Sequence, residues 1–343
     1  MHNDQLQSIK SARQSLQQAL RDRDRADLSW INPPPEKNGW TLTSDAIAFL
    51  DQLVRALKPA HIIEFGAGLS TRAAVRAVAE MGTKCAISSV DHDPEFGVSD
   101  TRAFAEGATN LKLSSQIANL VARDYGGKLL PTYQLDPKKL ASTAPADIVL
   151  IDGPPISLGG REGVLYQVLP HCRPGTIVLL DDASRVAERT AVRNWAETLG
   201  DAIEAQQLPH FTKGMAAVIV HEPVQNAELW PRRILSAKKQ IEAIVPAGSA
   251  FVLVELGQWD AFAGERHAWP LVRRDGQDWG PPERDEDALA ELEARRKEGA
   301  THFFLPWTSF WWADVYGEFL AHLRKHHKCV ADGDLLLGFD LRV

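Results

Sequence analysis

The chain has 343 residues, of which 44% are hydrophobic and 24% charged, and a formal net charge of −7 at pH 7. That composition is typical of a globular protein with about two domains, and the acidic balance gives no electrostatic attraction to nucleic acid. No apolar run approaches the ~20 residues that cross a bilayer, MHNDQLQSIK lacks the apolar core of a signal peptide, and three widely spaced cysteines argue against a structural zinc site. We therefore expect a cytoplasmic protein.

Residues 1–30 are predicted to form an N-terminal amphipathic helix, because leucine and isoleucine recur at helical spacing. The prolines of NPPPEKNG at 32–39 end this helix. It is expected to pack on the body of the protein or on a second subunit, so a homodimer is an open expectation. A second helix is predicted to begin at Thr43 or Ser44.

Strands and helices alternate from residue 61 onward. The strands are predicted near 61–65, 85–91, 111–114, 147–151, 176–180, 202–208 and 215–221. This alternation predicts an α/β fold with a doubly wound, seven-stranded, mostly parallel sheet and helices on both faces. PHFTKG, between the last two strands, is too short for a helical crossover, so those strands should pair antiparallel.

The segment HIIEFGAGLST at 61–71 turns a buried strand into a glycine-rich loop and then a helix. Gly66 and Gly68 give the loop the backbone freedom that close approach of a ligand requires, and Ser70 and Thr71 can cap the helix. A dinucleotide-binding loop would have the pattern G-x-G-x-x-G, and the third glycine is missing here. The loop therefore predicts a nucleotide-type cofactor site of a different kind.

The second predicted strand ends in Asp91. A carboxylate at this position can accept hydrogen bonds from both hydroxyl groups of a ribose. The alternative is that Asp91 only caps the following helix, as aspartate commonly does. The glycine-rich loop upstream favours the ribose interpretation.

Two further strand ends carry acids. ADIVLIDGPP places Asp152 at the end of one strand, and GTIVLLDDASR places Asp181 and Asp182 at the end of the next. Because the carboxyl ends of parallel strands meet at one edge of a sheet, three carboxylates are expected to converge there. They would raise each other's pKa unless a cation lay between them, and oxygen ligands suit a hard ion such as Mg²⁺. The alternative is a tight turn at Asp152 and a helix cap at the other two.

These motifs together resemble the class I S-adenosylmethionine-dependent methyltransferases over residues 39–222. E-x-G-x-G is similar to their motif I. The acid-His-Asp-Pro, I-D-G-P-P and L-D-D-x-x-R patterns resemble a bacterial branch of that class. The acids at the strand ends resemble those of the divalent-metal-dependent O-methyltransferases, the catechol O-methyltransferase group among them.

The resemblance implies S-adenosylmethionine as cofactor and an O-methyltransferase that acts on a hydroxyl of a sugar or other small metabolite. A divalent metal, Mg²⁺ or another cation, would hold the hydroxyl and lower its pKa. The residues implied to bind the cofactor are Glu64, Gly66, Ala67, Gly68, Ser70, Thr71, Asp91, His92, Ser115 and Asp152. The implied metal ligands are Asp152, Asp181 and Asp182, and the implied catalytic residues are Asp152, Asp181 and His210.

The general base is left open by the sequence. The catechol enzymes carry a lysine three residues after the first aspartate, where this chain has Pro155. His210 and Lys213 are candidates, and a metal-bound hydroxyl needs no dedicated base. Two alternative functions stay open: a metal-independent methyltransferase with Asp152 or His210 as base, and a non-catalytic binding module in polysaccharide assembly.

The acceptor is predicted to be a small hydroxylated molecule, with neither nucleic acid nor membrane as partner. Its specificity is expected to lie in the loops at 124–145 and 156–162 and in the C-terminal region. Arg161 and Arg185, at the same edge of the sheet, either hold the acceptor or, as is commoner, face solvent.

The predicted domains are the N-terminal helix at 1–30, an S-adenosylmethionine-binding domain at 31–225 and a small α/β accessory domain at 226–343. In the last, helices, strands and a C-terminal hairpin are predicted around the aromatic stretch LPWTSFWW. This stretch resembles a module found in bacterial sugar-modifying enzymes. Its rings form either a platform for sugars or part of a core, and core packing is favoured.

Overall fold

The computed structural model describes residues 2–32, 39, 41–96, 107–255 and 257–342. The chain divides into two units, residues 1–229 and 230–343. Most of the proline-rich segment at 32–39 lies outside the described residues. Among the helices of the described ranges, none combines the length and apolar character needed to span a bilayer.

The first unit is built on one seven-stranded sheet. Its helices are α1 (His2–Asp22), α2 (Ser44–Leu57), α3 (Leu69–Met81), α4 (Glu162–Val168), α5 (Val186–Leu199) and the start of α6 (Asn226–Ile244). Its strands are β1 (His61–Phe65), β2 (Cys85–Asp91), β3 (Leu111–Ile117), β4 (Leu120–Asp124), β5 (Leu129–Tyr133), β6 (Ala146–Ile151), β7 (Cys172–Asp181), β8 (Ile203–Leu208) and β9 (Met215–Val220).

The sheet has the strand order β3-β2-β1-β6-β7-β9-β8. Neighbouring strands from β3 to β7 are parallel, whereas β9 runs antiparallel to both β7 and β8. This topology confirms the predicted doubly wound, mostly parallel sheet and its antiparallel last pair. The carboxyl ends of β1, β2, β6 and β7 consequently lie side by side at one edge.

Both faces of this sheet are covered, so its central strands are apolar throughout. Alternate residues point to opposite faces: Ile62 and Ile148 belong to one buried cluster, and Ile63 and Val149 to the other. The helix α1 packs on α2 and β7, with Leu16 almost fully buried. The N-terminal helix is thus part of the first unit.

A hairpin that the sequence did not predict lies in the region expected to be a loop at 124–145. Strand β4 pairs antiparallel with β5, and Gly126 and Gly127, both with positive φ, form the turn between them. Gln167 of α4 accepts a hydrogen bond from the amide of Tyr133 and donates one to its carbonyl. The end of the hairpin is therefore fixed close to the carboxyl edge of the seven-stranded sheet.

The second unit has its own five-stranded sheet, in the order β11-β10-β14-β16-β15. The five strands of this sheet are β10 (Ala250–Leu253), β11 (His267–Trp269), β14 (Ala300–Pro306), β15 (Lys328–Asp332) and β16 (Leu336–Asp340). Two further strands, β12 (Arg273–Arg274) and β13 (Gln277–Asp278), form a separate two-stranded sheet. Besides the rest of α6, its helices are α7 (Asp285–Glu298), α8 (Trp312–Val315) and α9 (Gly317–His326). The predicted C-terminal hairpin corresponds to β15 and β16, which pair antiparallel.

Most of the aromatic stretch in the second unit belongs to a core. Trp307, Trp312 and Tyr316 are buried, whereas the indole of Trp311 is 41% exposed. Trp312 packs against Tyr316 with ring centroids 4.5 Å apart. Packing, the favoured interpretation, thus describes the three buried rings.

Candidate functional site

A cavity of about 360 Å³ lies at the carboxyl edge of the seven-stranded sheet. Loops that follow β1, β2, β6 and β7 supply most of its wall. The lining residues are Gly39, Thr41, Gly66, Ala67, Asp91, His92, Asp93, Tyr133, Asp152, Gly153, Pro155, Arg161, Asp181, Asp182, Arg185 and Lys213. The structure thus brings the predicted ribose residue and the three predicted acids into one cavity.

The glycine-rich loop forms a floor of bare backbone in this cavity. Gly66 has φ +100°, and a Cβ at this position would stand 2.9 Å from the carbonyl carbon of Asp152. The amide of Asp152 in turn donates to the carbonyl of Phe65, 2.7 Å away. A side chain at position 66 would therefore push the ends of β1 and β6 apart. Because Gly66 has none, only backbone faces the cavity there, and a ligand can approach the loop closely.

Asp91 is fixed in the wall beside that floor. Its Oδ2 accepts a hydrogen bond from the amide of Ala67 at 2.7 Å, and its Oδ1 accepts one from the amide of Asp93 at 2.8 Å. The Nδ1 of His92 lies 3.2 Å from the same Oδ1. The carboxylate is held by the backbone of two loops and still lines the cavity, as a ribose-binding acid would.

Glu64 lies beneath the loop and does not line the cavity. Its carboxylate accepts hydrogen bonds from the hydroxyls of Ser70, Thr71 and Ser89. Burial raises the pKa of Glu64 to about 7. The prediction that Glu64, Ser70 and Thr71 touch the cofactor therefore finds no support in their positions; these groups fasten α3 to β1 and hold the loop from below.

Three other predicted residues also lie away from the cavity wall. Gly68 donates its amide to Thr71, and Ser115 sits within β3, paired with Ser89 of β2. His210 is exposed after β8, and its carbonyl accepts a hydrogen bond from Arg23 at 2.7 Å.

Lys213, in the same loop as His210, does line the cavity. Its Nζ donates to the carbonyls of Thr41 and Gly39, at 3.0 and 3.1 Å. Of the two basic candidates named from the sequence, the structure places the lysine and not the histidine at the site.

The structure confirms that the three acids predicted to meet at the carboxyl ends of β6 and β7 lie close together. They are Asp152, Asp181 and Asp182. One carboxylate oxygen of each lies within 4.8 Å of the others. Burial is the main cause that raises the pKa of Asp181 to about 6 and that of Asp152 well above its usual value. Asp182 has φ +57°, in the left-handed region that aspartate tolerates better than most residues.

A buried arginine stands among these acids. The Nη2 of Arg161 lies 3.0 Å from Asp152 Oδ1 and 2.8 Å from Asp182 Oδ2, and its Nη1 donates to the carbonyl of Asp181 at 2.8 Å. Arg161 is only 6% exposed, so the commoner interpretation, a solvent-facing arginine, was wrong. The half-exposed Arg185 adds a contact of 2.9 Å to Asp182. No local pattern in the sequence indicates this burial, because it depends on contacts of Arg161 with acids that follow two different strands.

The acid cluster also fits a divalent cation by its donor type. Carboxylate oxygens are the ligands that hard cations prefer. Asp182 Oδ1 is buried and has no hydrogen-bond partner among the residues that the structure describes. Arg161 occupies other oxygens of the cluster, so an ion bound here would lie beside the guanidinium.

A comparison with protein-family models covers most of the residues that line this cavity. Residues 63–183 match the family model described as a methyltransferase domain, and this segment contains the glycine-rich loop, Asp91 and the three acids. No curated protein matches the chain.

Several solved structures are similar to part of this chain. SAH-bound methyltransferase PaMTH1 from Podospora anserina is 13% identical with a TM-score of 0.37, covering 60% of this chain and 87% of that chain. Cofactor-bound Rv0187 from MTB is 19% identical with a TM-score of 0.37, covering 61% and 90%. A methyltransferase from Pyrococcus furiosus is 15% identical with a TM-score of 0.31, covering 48% and 75%.

Proposed function

We propose that this chain is an S-adenosylmethionine-dependent methyltransferase that transfers the methyl group to a hydroxyl oxygen of a small hydroxylated metabolite, with sugars as the favoured class. The match of residues 63–183 to the methyltransferase-domain family model supports the first part of this proposal. One observation carries the proposal: a single cavity joins a glycine-rich floor and Asp91 to a wall of three acids. The first part suits a cofactor with a ribose, and the second part suits an acceptor with several hydroxyl groups.

The cofactor is proposed to lie over Gly66 and Ala67, with its ribose on Asp91. The bare backbone of the loop lets the cofactor approach, and the carboxylate accepts from the ribose hydroxyls. The sulfonium group is positively charged, so the acids beyond it favour its binding. Methyl transfer then depends mainly on how well the acceptor oxygen is aligned with the methyl carbon.

The acceptor is proposed to lie against the acids. Asp152 and Asp181 can accept hydrogen bonds and the departing proton of a hydroxyl, while Arg185 and Lys213 can donate hydrogen bonds. A wall with both acceptors and donors matches a molecule whose hydroxyl groups do both. This is the reason for favouring a sugar over an apolar alcohol.

A divalent metal is part of the proposal. Asp152, Asp181 and Asp182 would hold Mg²⁺ or a similar cation, with the unpartnered Oδ1 of Asp182 as the observation in favour. When bound, such an ion lowers the pKa of the acceptor hydroxyl. The chain's own residues would still supply alignment and the hydrogen bonds to the acceptor.

A second candidate, a metal-independent methyltransferase, is favoured by Arg161. Its guanidinium contacts Asp152 and Asp182 directly, so the cluster already contains a positive charge. In that scheme Asp152 or Asp181 accepts the proton without help from an ion. His210, exposed and outside the cavity, is not part of it.

The test is methyl transfer from isotopically labelled S-adenosylmethionine to a panel of monosaccharides, nucleotide sugars and catechols, with products identified by mass spectrometry. The expected result is a methyl ether, lost in Asp91→Asn. Methylation on nitrogen or carbon alone would contradict the proposal. Repeating the assay after EDTA treatment separates the two schemes, because only the metal-dependent enzyme stops and recovers with Mg²⁺.

We further propose that the protein is cytoplasmic, that it forms a homodimer, and that its acceptor is a small molecule, without nucleic acid or membrane as partner. We also propose domain boundaries at 30 and 225 and a sugar-related role for residues 226–343.

A further inference from the structure

Tyr133, the last residue of β5, is one of the residues that line the cavity. A Cβ added to Gly153 would stand 2.3 Å from the hydroxyl oxygen of Tyr133, so Oη reaches across to the backbone that follows β6. No pattern in the sequence singles out Tyr133, because its position depends on the hairpin that was not predicted.

The hydroxyl of Tyr133 is buried and unpaired. The side chain is fully buried, and Oη has no hydrogen-bond partner among the described parts of the chain. A buried polar group without a partner costs free energy, and such groups are rare in folded proteins. In a cavity wall, the simplest explanation is a ligand that completes the hydrogen bond.

The ring cannot easily turn away to find another partner. It packs on Phe65 with ring centroids 5.3 Å apart, and the backbone of Tyr133 is held on both sides by Gln167. The ring centroid of His92, the residue that follows Asp91, lies 6.4 Å from the ring centroid of Tyr133. The hydroxyl is therefore fixed at the end of the cavity that contains the proposed ribose site.

We propose that Tyr133 is a cofactor-binding residue whose Oη donates a hydrogen bond to the ribose portion of S-adenosylmethionine, beside Asp91. The inference rests on the proposed cofactor site. Asp91 offers only acceptor atoms, which serve the ribose hydroxyls, whereas the ring oxygen of a ribose needs a donor. Burial and the charges of Asp91 and Asp152 raise the pKa of Tyr133, so the phenol keeps its proton and acts as that donor.

The experiment uses the full chain and the variant Tyr133→Phe, which removes only the hydroxyl oxygen. Isothermal titration calorimetry measures the affinity for S-adenosylmethionine and for S-adenosylhomocysteine. Both share the ribose, so both should bind about tenfold more weakly, equal to about 1.4 kcal/mol. The melting temperature without cofactor should stay the same or rise, because the variant lacks an unpaired buried hydroxyl.

Tyr125→Phe is the matched control. Tyr125 lies just after β4 in the same hairpin, its hydroxyl is 3.5 Å from Thr132 Oγ1, and it does not line the cavity. Its variant should bind both ligands like the unchanged protein. This control separates loss of a ligand contact from a general weakening of the hairpin.

Equal affinities in Tyr133→Phe and the unchanged protein would overturn the inference and leave the proposed cofactor site intact. A change only in the KM for the acceptor, or only in the affinity for S-adenosylmethionine, would also overturn it, because neither follows from a ribose contact. Absence of S-adenosylhomocysteine binding in the unchanged protein would refute the cofactor site itself.

Discussion

Replacing Arg161 by methionine should destabilise the first unit strongly. Methionine keeps much of the length of the side chain and removes its charge. Arg161 is buried and contacts two carboxylates, Asp152 at 3.0 Å and Asp182 at 2.8 Å, and the carbonyl of Asp181 at 2.8 Å. The variant leaves all three groups without that partner.

The magnitude follows from the burial of the site. Removing one partner of a buried ion pair costs about 3 to 5 kcal/mol, because the remaining charge stays buried without compensation. This is a large fraction of the roughly 5 to 15 kcal/mol that stabilise a domain. The matched control is Arg185→Met: Arg185 contacts the same Asp182 at 2.9 Å but its side chain is 48% exposed, so the loss should be only about 0.2 to 1 kcal/mol.

The assay must report on the first unit alone, since the chain has two units. Hydrogen exchange along a urea series, read by mass spectrometry from peptides of β6 and β7, gives the free energy of unfolding of that sheet. Equal losses in Arg161→Met and Arg185→Met, or no loss in either, would refute the view that the buried guanidinium neutralises the acid cluster.

Three further predictions concern the loop and the metal. Burial raises the pKa of Glu64 from its ordinary value of 4.5 to about 7 in the folded protein. The stability that this shift contributes is therefore complete below about pH 4.5 and is lost as the pH rises through 7. Between pH 5 and 8, the free energy of unfolding of Glu64→Gln should therefore fall by roughly 3 kcal/mol less than that of the unchanged protein, as measured by the same exchange assay. An equal fall in both proteins would contradict this. Gly66→Ala should abolish S-adenosylhomocysteine binding in calorimetry, because the added Cβ would stand 2.9 Å from the carbonyl carbon of Asp152 and displace the loop. Normal binding in this variant would show that the loop tolerates a side chain at position 66. EDTA should abolish turnover, with recovery in Mg²⁺, if the acids hold a metal; full activity in EDTA would favour Arg161 as the only cation needed.

The sheet was predictable because its strands are continuous apolar runs. Strand β6 is buried at every position, and a run of that length between polar segments has few other structures available. Once the strands were in order, the convergence of Asp152 with Asp181 followed from the meeting of parallel strand ends. The hairpin was missed because β4 is largely exposed and carries no continuous apolar run.

The side-chain partnerships at the site were not predictable in the same way. Arg161 precedes α4, and Tyr133 ends a strand of the hairpin that was not predicted. The burial of both depends on tertiary packing that no local pattern encodes. Glu64 was assigned to the cofactor by its motif, whereas three hydroxyl groups from α3 and β2 surround it. The sequence predicted at which edge of the sheet the acids meet, and the structure shows which side chains face the cavity.

Titrating S-adenosylhomocysteine into the full chain and into Asp91→Asn tests whether this cavity binds S-adenosylmethionine through Asp91. We expect one binding site per chain and at least about tenfold weaker binding in the variant, since hydrogen bonds to a charged group contribute about 1.5 to 3 kcal/mol. No binding to the unchanged chain, or equal binding to both, would contradict this expectation.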